Sequence, residues 1–148
     1  MRLSSVDDLI STAERLLGSS VKPTEEEAVA VDENAGKAVG REFAEKVLRR
    51  TSVEGAFQFY AGEGRPLWIS SDSLMDFSRK TRFVDLRSIE YHFRRGDFEM
   101  WIRHLGDDEL ADRLRLLRKT GTSGESLRDR LYEAVRSRCS ELRRAMES

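Results

Sequence analysis

The chain predicts a mainly α fold: a multi-helix array with one short aromatic β-hairpin at about 56–69 and a long C-terminal helix. Three observations carry that expectation. Apolar residues recur every three or four positions through most of the 148 residues, charged side chains make up 36% of the chain, and only two prolines occur. Such a pattern belongs to helices with one buried stripe and an ion-paired outer face. Hydrophobic residues, at 39%, still suffice for a core at this length.

The elements follow in order. Ser5 to Leu17 is an amphipathic helix, with Ser5 as cap, Asp7 and Asp8 in the first turn, and Gly18 as stop. Residues 19–23 are a linker, and Thr24 opens a second helix at Glu25. Ala28 to Val31 fits either alternation or helix. Ala35, Ala38, Val39, Phe43, Val47 and Leu48 then form a helical stripe reaching about Arg50. Gly36 and Gly40, four apart on that stripe, predict either close approach of another helix or weak local stability.

Residues 55–69 change character. Ala56 to Tyr60 alternates and is aromatic, Ala61 to Arg65 is a turn, and Pro66 to Ile69 is the return strand, with an irregular aromatic plug as the alternative. Ser71 or Asp72 is expected to cap the next helix. Asp85 opens another that ends at Gly96, Asp97 caps one that ends at Gly106, and Asp107 caps a fourth. Thr120 to Gly124 is a joint. The last helix runs from about Glu125 to Met146, with Leu127, Leu131, Val135, Cys139, Leu142 and Met146 in one seam. That seam packs either on its own domain or on a second copy. The organisation expected is an N-terminal helical segment (1–54), a core helical module with the hairpin (55–119) and a C-terminal helix (125–148), together one compact domain.

Several functions are disfavoured by composition. A net charge of −1 supplies no basic field for nucleic acid. One cysteine allows neither an internal disulfide nor a cysteine-cluster metal site. No apolar run reaches signal-peptide or membrane-span length, so the expected setting is cytoplasmic and soluble, without a membrane partner. Cys139 lies in a helix interior with no histidine near it in sequence, and neither glycine pair, Gly62/Gly64 nor Gly121/Gly124, has the lysine of a phosphate loop. Neither a catalytic motif nor a cofactor motif is present.

Ser88 to Leu105 is the densest stretch, holding both histidines, one of the two tryptophans and an Arg-Arg-Gly-Asp turn. His92 and His104 stand twelve apart across a glycine, which is not a metal-ligand spacing. Gly96 is expected in a left-handed turn, with Arg94 and Arg95 neutralising the carbonyl end before it. Trp101 shares a helical stripe with Phe98, Ile102 and Leu105, which reads as core. Phe57, Phe59, Tyr60 and Trp68 would form a binding patch if exposed. The candidate binding surface is therefore Phe57, Phe59, Tyr60, Trp68, His92, Arg94, Arg95, Asp97 and Trp101. The candidate self-association seam is Leu127, Leu131, Val135, Leu142 and Met146, with the Gly36/Gly40 helix as the other candidate.

Phe57-Gln-Phe59, Ser70 to Leu74, Ser88 to Phe93, the Arg95-Gly-Asp-Phe-x-x-Trp-Ile102 block and Leu105-Gly-Asp-x-x-Leu-Ala111 together resemble a prokaryotic domain family of unknown function. The resemblance covers about 57–118. It implies a small α-rich module, found alone or fused to larger proteins, and it brings no catalytic residues. The expected function is an interaction or regulatory module without catalytic activity, with a protein partner or a homodimer. The alternative is a nucleic-acid or small-ligand binder using the His92–Trp101 region.

Overall fold

A computed structural model describes residues 39–147. The helices expected at 5–17 and from Thr24, the 19–23 linker and Gly36 lie outside the described residues. From Gly40 onward the chain forms one compact unit. Its elements are α1 (Arg41–Leu48), β1 (Phe57–Tyr60), β2 (Pro66–Ser71), α2 (Leu74–Lys80), α3 (Leu86–Arg95), α4 (Asp97–Leu105), α5 (Asp108–Lys119) and α6 (Gly124–Met146). The mainly α array, the short antiparallel hairpin and the long last helix match the expectation.

Local chemistry explains most boundaries. Gly40 is the extended N-cap of α1, with φ −93°, so it is not the helix-interior glycine of the predicted stripe. Ser73, rather than Ser71 or Asp72, caps α2 by accepting from the Asp76 N–H at 3.1 Å. Asp85 caps α3 through the Arg87 N–H, and Asp107 caps α5 through the Leu110 N–H. Gly96 (φ 78°) and Gly106 (φ 110°) adopt the left-handed conformation that lets one helix stop and the next begin at once.

The core has two parts. Phe57, Phe59, Phe77, Phe98 and Trp101 form an aromatic cluster between the hairpin and α2–α4, with ring centroids 5.0–6.4 Å apart. The second part is α6, which packs against α1, α2, α3 and α5. Leu127, Leu131, Val135 and Leu142 are at most 1% exposed and Cys139 is buried; Met146 is half-buried. The seam is thus filled by the chain's own helices. It is not free for a second copy, and the self-association assigned to it is corrected.

The seam also carries Arg138, which is 2% exposed. Its Nε and one terminal nitrogen grip both oxygens of fully buried Asp107, at 2.7 and 3.0 Å, and the other terminal nitrogen reaches Glu141 at 2.9 Å. Burial opposes the charge on Arg138, but its bonds to Asp107 and Glu141 outweigh that and hold the guanidinium above its usual pKa.

Candidate functional site

The site lies where two helix ends meet a strand end. α3 stops at Gly96 and α4 starts at Asp97, so His92, Arg95 and Asp97 are brought together around one left-handed glycine. The hairpin supplies Phe57 and Tyr60. Its register runs Phe57–Ser71, Gln58–Ser70 and Phe59–Ile69, then slips so that Tyr60 faces Pro66. Leu67 and Trp68 are the surplus residues of this bulge. Trp68 takes a left-handed backbone (φ 60°), the single non-glycine to do so among the described residues, and the residue is 87% exposed.

At the slip, the Tyr60 N–H donates to His92 Nε2 at 2.8 Å. That bond fixes the tautomer: the ring proton sits on Nδ1 and is donated to Asp97 Oδ2 at 2.8 Å. Burial pushes the His92 pKa down, against the opposing pull of Asp97, so the ring is neutral. Both ring nitrogens are engaged, and neither is free to act as a base. Arg95 donates from Nε to the same Asp97 oxygen at 3.0 Å, and its guanidinium stands 5.0 Å over the Tyr91 ring.

A pocket of about 320 Å³ opens here, with Phe57, Tyr60, Tyr91, His92, Arg95 and Asp97 in its lining. Five of the nine candidate residues therefore meet: Phe57, Tyr60, His92, Arg95 and Asp97. Phe59 is in the core, stacked on Phe77. Trp101 is also core, with its indole N–H donating to the Gly55 carbonyl at 2.8 Å. Arg94 lies outward, beside Glu90 at 3.8 Å, and Trp68 is in solvent. The continuous Phe57/Phe59/Tyr60/Trp68 patch is thus corrected, because the pleat sends Phe57 and Phe59 inward. Asp97 is corrected too: α4 has no side-chain cap bond, and the carboxylate serves His92 and Arg95 instead.

Sequence reasoning did not single out Tyr91 or Arg138. Tyr91 precedes His92 on α3, and one turn separates it from Arg95, which was a readable signal for stacking. Arg138 falls on the α6 stripe if the spacing is taken as Leu131, Val135, Arg138, Leu142, so its burial was also readable.

Cys139 carries no accessible thiolate, since burial pushes its thiol up to about 12. No group of three or more metal-ligating side chains occurs among the described residues, and no helix among them is long and apolar enough to cross a membrane. Comparison with protein-family models, curated proteins and solved structures gives no match.

Proposed function

We propose that this domain is a non-catalytic interaction or regulatory module whose partner, a protein or a second copy of the chain, meets it at the hairpin. Trp68 is the observation that carries the reading. The residue is 87% exposed on a left-handed backbone, which disfavours a β-carbon by roughly 1–2 kcal/mol. Exposure and strain at one residue gain nothing for the isolated fold, and tryptophan is the side chain most enriched among interface anchors. The β2 edge carries Pro66 and the bulge, devices that block strand pairing, so recognition falls to the side chain. The groups suited to chemistry are occupied: His92 holds the hairpin, and Cys139 is sealed in the core. The proposal takes up the family resemblance at 57–118, whose blocks supply the hairpin and the Arg95–Asp97 turn.

The test is molar mass by light scattering across concentration, on the full chain and on Trp68→Ser. A wild-type dimer that Trp68→Ser dissociates, with melting temperature unchanged or raised, is the expected result for a homodimer. A dimer indifferent to the substitution removes Trp68 from the interface, and a monomer at every concentration removes self-association.

A second reading, small-ligand binding, is favoured by the aromatic pocket beside His92. Its volume lies at the lower end of small-molecule sites.

A further inference from the structure

We propose that the His92–Asp97–Arg95 pocket takes a carboxylate borne on a single apolar ring, gripped by the two terminal amino groups of Arg95. The proposal rests on the small-ligand reading of this pocket and names its ligand class.

Arg95 is held in place without its outer fork being used. Nε donates to Asp97 at 3.0 Å, and the guanidinium plane stands over Tyr91 at 5.0 Å. Among the described residues, neither terminal amino group of Arg95 makes a hydrogen bond. Asp97 is itself fixed by His92 Nδ1–H, and His92 by the Tyr60 N–H. A hydrogen-bonded chain thus runs from the hairpin bulge through a buried ring to a half-exposed guanidinium that lines the pocket. An arginine already ordered in this way loses less freedom on binding, and its planar fork matches a carboxylate.

The walls set the rest of the ligand. Phe57, Tyr60 and Tyr91 line the pocket of about 320 Å³ and give it aromatic faces suited to an apolar ring. The Tyr60 and Tyr91 hydroxyls make no hydrogen bond among the described residues, so polar contacts remain on offer beside the rings. Asp97 already balances the charge of Arg95, and Glu63 on the hairpin turn adds a weaker negative field there. A monoanion is therefore favoured over a phosphate dianion. A cationic ligand is disfavoured because Arg95 already covers Tyr91; an ammonium would have to displace it and break its ion pair with Asp97.

The shared chemistry has two sources: a free aryl acid, or the C-terminal residue of a peptide ending in an aromatic side chain. The experiment follows amide shifts of the full chain titrated separately with phenylacetate, phenylacetamide and trimethylphenylammonium. Phenylacetate is expected to give saturable shifts at Tyr60, Tyr91 and Arg95, with phenylacetamide about tenfold weaker or worse. Arg95→Gln abolishes the response. Because that change also loosens Asp97, two further variants isolate the ligand contact: Tyr91→Leu weakens binding, and Glu63→Gln tightens it.

Equal binding of the amide, or preference for the cation, overturns the carboxylate assignment and leaves the pocket as a ligand site. Failure of all three probes overturns both readings. Where phenylacetate binds, Gly-Gly-Phe with a free C-terminus, set against its amide, separates the sources. Tighter binding of the free-acid peptide assigns a protein C-terminus, and tighter binding of phenylacetate assigns a free acid.

Discussion

The same two residues, Gly-Asp, follow a helix twice in this domain, at 96–97 and at 106–107, with opposite outcomes. At the second joint Asp107 turns inward, caps α5 and takes Nε and one terminal nitrogen of Arg138, and nothing of it reaches solvent. At the first, Asp97 forgoes the cap and binds His92 and Arg95, with its side chain 24% exposed to the pocket. A left-handed glycine fixes only the path of the backbone. Whether the following carboxylate becomes scaffold or site depends on what arrives from far along the chain: Arg138 from α6 in one case, the Tyr60 N–H of β1 in the other.

The contrast is sharpest at Arg138. Arg138→Met leaves Asp107 buried without its counter-ion and should cost about 3–5 kcal/mol by urea denaturation. Restoring balance with Asp107→Asn in the same chain should recover part of that loss. A single substitution without effect on the midpoint would show the pair to be solvated.

The open joint responds less, and to acid. His92→Leu leaves the Tyr60 N–H and Asp97 short of a partner, a loss of about 1–3 kcal/mol. The folded pKa of His92 is lowered, so the unfolded chain takes up the proton first. The His92 contribution is full above the unfolded value of about 6.5 and is lost as the pH falls from there toward the lowered folded value. Stability measured against pH should show this decline in the wild type and not in His92→Leu; matching profiles would mean that the proton goes elsewhere.

The glycines come next. Gly106→Ala should destabilise by roughly 1–2 kcal/mol. It should exceed Gly96→Ala, because φ 110° at 106 lies farther than φ 78° at 96 from the left-handed well at about +57° that a side chain tolerates. The smallest effect runs the other way. Trp68→Gly relieves a left-handed β-carbon with little burial to lose, so thermal melting should rise, by up to about 1 kcal/mol of stability. A fall in melting temperature would mean that the indole supports the fold.

Element types were legible because they rest on neighbours in sequence. Asp85 and Asp107 as caps, Gly96 and Gly106 as stops, the hairpin turn and the α6 stripe all follow from spacings of four residues or fewer. What lay against each stripe was not legible. Periodicity says that Leu127, Leu131, Val135 and Leu142 share a face, but α1, α2, α3 and α5 cover that face in space, where the stripe alone points to a second copy. The site was half legible for the same reason. His92, Arg95 and Asp97 are near neighbours and were picked out together. Their arrangement depends on Tyr60, 32 residues earlier, and on a register slip that alternation alone does not reveal. Asp97 misled because a carboxylate after glycine caps a helix unless a stronger donor competes, and here there are two.

The position of α6 constrains when this domain can form. The helix comes last among the described helices yet touches four of the other five, supplies the arginine that neutralises Asp107, and receives Arg41 of α1 at its Met146 carbonyl. Until it leaves the ribosome, the apolar faces of α1, α2 and α5 have no lid and Asp107 has no counter-ion. The domain therefore closes only once synthesis passes Met146, a vectorial delay in which the nascent chain offers those faces to chaperones and to neighbouring chains.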